Sequence, residues 1–269
     1  MGLGKYILVF FIIFCFIGTA YSAPVGLTSK ADVVKPELWS VGGMSLGVGF
    51  IFDFVKERKF DIDSGDLETR VYAIRTELDL WDKYNIYFDF GQSKYMEYKY
   101  LTQGEYCTSK FDDELAWAVG TNALLYRSKT GVELGAHASL RRVKLHLTEM
   151  LIEGVSYVRN NMDSISEDYF QEFQYGLELA WRMDQSYDIP YSLIPYIGLK
   201  YSDAEIDADF TVNEIRYNAT ADNQDLGLFV GLTLVPKIES LPATKRMVIN
   251  LEARFIDEKA VDVEMLYRF

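Results

Sequence analysis

The sequence predicts an all-β protein: a transmembrane, antiparallel, up-and-down β-barrel of about ten strands. Three observations lead there. Apolar residues recur at every second position in runs of about ten residues, the length a tilted strand needs to cross a bilayer. The connections between runs alternate between short and long. Beyond residue 22 no apolar stretch approaches the roughly 20 residues of a membrane helix, which excludes a helical membrane protein.

The chain opens with Lys5, an unbroken apolar run from Tyr6 to Ile17, and small residues at Gly18, Ala20, Ser22 and Ala23. This is the order of a secretory signal peptide, and its apolar part is too short to span a membrane. Cleavage after Ser22 puts Ala20 at the −3 position and keeps Pro24 off the cut. Residues 1–22 are therefore read as a signal peptide and 23–269 as one barrel domain. Cys15 leaves with the signal peptide, so Cys107 has no partner for an internal disulfide.

The strands follow in order. Met44, Leu46, Val48, Phe50, Phe52 and Phe54 alternate with Ser45, Gly47, Gly49, Ile51 and Asp53; successive strand residues point to opposite faces, so one face is apolar and the other small or polar. Tyr72, Ile74, Thr76, Leu78 and Leu80 then stand against Arg75, Glu77 and Asp79, and Ile86, Phe88 and Phe90 against Asp89. Leu115–Leu125 comes next, then Val132–Leu140 opposite Glu133, His137, Ser139 and Arg141. Phe173–Trp181 faces Glu172, Gln174, Glu178 and Arg182; Leu193–Tyr201 surrounds Lys200; Leu226–Leu234 completes that group. Met247–Phe255 stands opposite Asn250, Glu252 and Arg254, and Val261–Phe269 opposite Asp262, Glu264 and Arg268.

A soluble sandwich also alternates, but its strands average about 5 to 6 residues. Here the runs are longer and the polar face mixes acids with bases, which suits an enclosed ionic interior. The expected interior network is Arg75, Glu77, Asp79, Asp89, Glu133, Glu178, Arg182, Lys200, Glu252, Arg254, Glu264 and Arg268.

Counting back from Phe269 assigns the connections to two sides. One side receives Asp82–Lys83, Arg127–Gly131, Gln185–Pro190 and Pro236–Lys245. The other receives Lys56–Asp66, Met96–Asp112, Thr148–Asp168, Ile206–Asp222 and the brief Asp257–Lys259. Short turns on one side and long polar loops on the other are the outer-membrane arrangement, with both termini in the periplasm. Trp39, Trp81, Tyr84, Tyr126, Tyr187, Tyr191 and Tyr267 fall at the turn ends, and Tyr72, Tyr95, Tyr98, Tyr169, Phe170 and Tyr201 near the loop ends. Two aromatic girdles at the headgroup levels are expected.

The signal peptide, the alternating strands and the ending Val261-Asp-Val-Glu-Met-Leu-Tyr-Arg-Phe269 resemble the small outer-membrane β-barrel proteins of bacteria, the OmpA-like or porin-like group. The resemblance covers nearly the whole of 23–269 as a pattern, and no family-specific motif stands out. It implies insertion in an outer membrane, contact with its lipid and lipopolysaccharide, and recognition of Val263, Met265, Tyr267 and Phe269 by the barrel assembly machinery.

Charge narrows the function. With 27 Lys and Arg against 40 Asp and Glu, the net charge is −13, and a nucleic-acid partner is excluded because binding phosphates requires a basic face. Two His and one remaining Cys offer no metal-ligand cluster, and no cofactor is expected. Ten strands fall between barrels filled by side chains and barrels with an aqueous channel, so the interior charges suit either a rigid network of ion pairs or a narrow conduit for small solutes. The expected function is a structural or small-solute pore role, non-enzymatic.

Two alternatives use other residues. His137 and Ser139 lie side by side on one strand face, as a base and nucleophile do, and a similar His-x-Ser occurs in outer-membrane lipid hydrolases; Glu149 or Glu153 could orient the His. The alternation turns the pair inward, however, away from lipid. The other alternative is a surface adhesin acting through its long extracellular loops, chiefly Thr148–Asp168. Met96–Phe111, with Tyr98, Tyr100 and Tyr106 beside Lys94, Lys99 and Lys110, could contact lipopolysaccharide phosphates or another surface.

Overall fold

The computed structural model describes residues 44–60, 65–81, 83–183, 191–236 and 247–269. The signal-peptide reading of 1–22, Trp39, Tyr187 and the ring of Tyr191 lie outside what is described. The strands are β1 (Met44–Phe60), β2 (Gly65–Leu80), β3 (Tyr84–Thr102), β4 (Glu105–Phe111), β5 (Glu114–Arg127), β6 (Val132–Lys144), β7 (Leu147–Ile152), β8 (Val155–Val158), β9 (Ser164–Trp181), β10 (Tyr191–Val212), β11 (Ile215–Asn218), β12 (Ala221–Pro236), β13 (Met247–Phe255) and β14 (Glu258–Arg268).

Ten of these close a barrel. The order β1-β2-β3-β5-β6-β9-β10-β12-β13-β14 is antiparallel throughout, and β14 returns to β1 from Gly47↔Arg268 to Arg58↔Glu258. An even strand number lets the first and last strands meet antiparallel, and closure leaves no unpaired edge in lipid. Burial settles which face is which: Phe50 is 56% exposed, while Asp53, three positions on, is 0% exposed. Exposed grease over buried charge inverts the logic of a water-soluble sandwich. On β10 the outward apolar run is Leu193–Tyr201, which at about 3.3 Å per residue and a tilt of about 40° makes a belt ~23 Å tall.

β10 is 22 residues long, roughly twice what the belt requires. Beyond Tyr201 its two faces exchange chemistry without changing phase. Outward residues become Asp203, Glu205, Asp207 and Asp209, while the inward row turns from Lys200 and Ser202 to Ala204, Ile206, Ala208, Phe210 and Val212, all buried. That exchange marks where lipid gives way to water. Above it the protein follows soluble-protein rules and encloses an apolar core, including Phe60, Leu67, Met96, Tyr98, Phe111, Val143, Met150, Phe170, Ile206 and Phe210.

This head corrects the expectation of long loops. Met96–Asp112, Thr148–Asp168 and Ile206–Asp222 are folded into the β3–β4, β7–β8 and β10–β11 hairpins, and Lys56–Asp66 largely continues β1 and β2. The ladder runs β3-β4-β7-β8 on one side and β9-β10-β11 on the other, and among the described residues no pairing joins β8 to β9. The cylinder thus opens into two facing sheets, pinned at their tips by Tyr217 Oη donating to Glu105 Oε2 (2.9 Å) and Gln103 Nε2 donating to the Arg216 carbonyl (2.5 Å).

Tyr98 and Phe170, expected in the outer girdle, point inward at 1% exposure each. A bulge in β3 opposite Glu68 and Arg70 shifts its phase so that Tyr98 and Tyr100 face the head core, where their rings stack at 4.9 Å. Phe170 shares the inward phase of Glu172. Tyr72, Tyr95, Tyr169 and Tyr201 lie outward, as do Trp81, Tyr84, Tyr126 and Tyr267 at the opposite end.

Candidate functional site

The belt-level interior is a continuous set of charged and polar side chains. Glycines on neighbouring strands make room for its large members. A Cβ at Gly120 would sit 2.3 Å from the Tyr87 ring and one at Gly231 2.1 Å from the Tyr196 ring, so both phenols lie across a bare backbone. On Tyr87 rests the Arg75 guanidinium, 3.8 Å from the ring centroid. Arg75 grips Asp89 with two parallel bonds (Nε 2.7 Å, Nη2 2.8 Å) and reaches Glu264 at 3.1 Å. This fork geometry is the strongest carboxylate pairing a side chain offers.

At the turn end, Arg268 binds Glu77 (2.9 Å) and approaches Asp79 (3.4 Å), and Asn85 Nδ2 donates to both acids at 3.0 Å. Arg182 and Arg127 share Glu133, at 3.1 and 2.6 Å. Towards the head, Arg254 pairs with Asp53 and lies 3.3 Å from Glu258, while Lys200 binds Asp257 (2.9 Å) and Glu258. Glu252 accepts from Tyr196 Oη at 3.0 Å. Glu178 sits beside Gly135 with no ion pair among the described residues. All twelve interior residues named from the sequence are buried inside the barrel.

The densest part of the set was not legible in the sequence. Arg58, expected in a loop, is 2% exposed and bridges Glu172 and Glu258 (2.9 Å). Asp257 and Glu258, expected in a brief solvent turn, are buried at 1% and 2%. Two local devices explain the difference. A bulge after Val55 brings Arg58 into the inward phase. The β13–β14 turn is so tight, with Ile256 at φ +84, that its acids fall into the lumen beside Lys200 and Arg254. Arg141 completes the set, pairing with Asp53 and lying 3.8 Å from Glu172.

His137 and Ser139 are also interior, at 5% and 1% exposure. They do not form a nucleophile–base pair: neither ring nitrogen of His137 has a hydrogen-bond partner, its ring packs edge-on to Phe229 at 5.6 Å, and Ser139 is engaged by Tyr87. Glu149 lies in the head, bonded to Lys110 at 2.7 Å and to Ser156 at 2.5 Å, and Glu153 accepts from the Tyr106 backbone N–H. Neither carboxylate orients the imidazole. Cys107 is 2% exposed, and burial pushes its thiol up to about 11. Val263, Met265 and Tyr267 form one outward row on β14, a strand paired on both sides, and Phe269 follows just beyond its end.

A closed antiparallel barrel, apolar towards lipid and ionic within, defines this chain as a small transmembrane β-barrel. The sequence matches no protein-family profile and no curated protein. Solved structures of similar outline include the outer-membrane protease OmpT of Escherichia coli (8% identity, TM-score 0.45, covering 84% of this chain and 96% of that one). Others are the β domain of the Bordetella autotransporter BrkA (9%, 0.43, 84% and 99%) and the attachment invasion locus protein Ail of Yersinia pestis (12%, 0.33, 84% and 97%).

Proposed function

We propose that this protein is a non-conducting outer-membrane anchor that presents a folded β-sheet head at the cell surface, where the head makes the protein's contacts. The observation that carries the reading is the apolar core that fills the head directly above the ion-paired lumen. An ion entering from outside would have to leave water for that core, at a cost of many kcal/mol. Paired lumen charges then serve rigidity, since an uncompensated charge in a confined space is strongly destabilising. The folded hairpins favour the surface-contact reading, because a preorganised surface loses little entropy on binding.

In this reading residues 1–22 direct export and are removed, both ends of 23–269 face the periplasm, and the outward row from Val263 to Phe269 is what the barrel assembly machinery reads. Planar-bilayer recording tests it directly. The folded chain should give no channel steps where a general porin conducts; regular, ion-selective steps from the wild-type protein would refute the anchor and restore the conduit.

A further inference from the structure

At the outer edge of the lipid belt, the first charged outward residue differs from one side of the barrel to the other. On β14, β1, β2 and β3 it is Lys259, Lys56, Arg70 and Lys94. On β10 it is Asp203, next to the uncharged Gln224 on β12; on β9 the uncharged Gln171 lies opposite Glu205, and on β6 the residue is Arg142, which pairs with Gln171 and lies 3.7 Å over the Tyr169 ring. Arg70 is the centre of the cationic side. It pairs across strands with Phe54 on β1 and with Lys94 on β3, so three outward side chains form one row. Lys56 is the next outward residue above Phe54, and Tyr72 lies below, edge-on to Phe54 at 6.1 Å.

The β3 bulge belongs to this place. It holds Tyr95 at φ +54, a conformation costly for a bulky residue, and leaves its ring 67% exposed with the Arg70 guanidinium 4.9 Å from the centroid. Bulges re-aim side chains, and this one sets an aromatic ring beside a cation that has no carboxylate partner among the described residues. Lys94 is held by Asp113 at 2.6 Å, and Glu57 is occupied by Lys259 at 2.5 Å. Glu68, one outward position above Arg70, is the remaining nearby acid and makes no ion pair with it.

We infer that Arg70, Lys94, Lys56 and the Tyr95 ring form a binding site for the phosphate of a membrane lipid, with the lipid's chains lying on Phe54 and Tyr72. The chemistry is that of a phosphorylated amphiphile: guanidinium and ammonium donors at headgroup height directly over an apolar, aromatic wall. On the far side the cation Arg142 is already stacked on Tyr169 and stands beside Gln171, with Asp203 and Glu205 on the neighbouring strand, so the four-strand cationic row is the preferred site and stoichiometry is low. The inference rests on the outer-membrane placement proposed above and gives the anchor a preferred lipid contact.

Native mass spectrometry of the detergent-folded full chain tests it, with bisphosphorylated lipid A, its dephosphorylated form and inorganic phosphate as probes. The phosphorylated lipid should be retained at one or two copies and the dephosphorylated form lost. Arg70→Gln with Lys94→Gln should weaken retention roughly 30-fold, at about tenfold or slightly less per cation, and Glu68→Gln should tighten it. The unheated electrophoretic band and the absence of conductance are read on the same samples, so misfolding and failure of the anchor reading are seen separately. Equal retention of both lipids, retention unchanged in the folded double variant, or displacement by millimolar inorganic phosphate would each overturn the site.

Discussion

Replacing Lys200 with Met isolates the interior network. Its ammonium is fully buried between Asp257 at 2.9 Å and Glu258, and Ser202 also donates to Asp257, at 2.5 Å. Met keeps the aliphatic stem and removes only the charge, leaving two buried carboxylates short of a cation; Glu258 retains Arg58 and Arg254, while Asp257 keeps only the hydroxyl. Breaking a buried pair on one side costs about 3 to 5 kcal/mol. With a urea slope of about 2 kcal/mol per molar, the unfolding midpoint should fall by roughly 2 M. The assay is urea unfolding of the barrel in detergent, followed by loss of the fast-migrating unheated band. Adding Asp257→Asn should return at least about half of the loss, because the orphaned charge goes with it. A single variant within about 0.5 kcal/mol of wild type, or a double variant worse than the single, would refute the view that these pairs hold the interior together.

Phe210→Ala, at a fully buried position in the head, should cost about 3 to 5 kcal/mol locally; hydrogen exchange should rise across Ala204–Ala219 while the heat-resistant barrel band persists. Ser139→Ala and His137→Ala should leave acyl release from phospholipid vesicles at the blank level of wild type, and measurable release abolished by either change would revive the hydrolase. Cys107, with its thiol pushed up to about 11, is only about a thousandth thiolate at pH 8, so maleimide should label it only after unfolding. The hydrogen bond from Lys110, then that from Ser156, lowers Glu149 below the usual carboxylate value. Its contribution is therefore present above about pH 4.5 and lost as pH falls through the lowered value. Both groups are partly exposed, so the β4–β7 contact should loosen only slightly in acid, read as faster exchange at Leu147–Ile152.

The sequence alone determined the barrel. Period-two alternation is a local property, and a run such as Met44–Phe54 states which residues share a face whatever surrounds it. It could not say where that face meets water instead of lipid, because alternation persists on β10 from Leu193 to Val212 while only the chemistry of the two faces trades places at Tyr201 and Asp203. Regions that read as polar loops are for this reason folded sheets. Nor could it place Arg58, Asp257 and Glu258. A bulge shifts phase by one residue with no compositional mark, and the tight turn at Ile256 drops two acids into the lumen only because Lys200 and Arg254 are already there across the barrel. Periodicity is set residue by residue along the chain. The partner of a buried charge, and the solvent outside a strand, are set by strands far apart in sequence, so those were decided by closure alone.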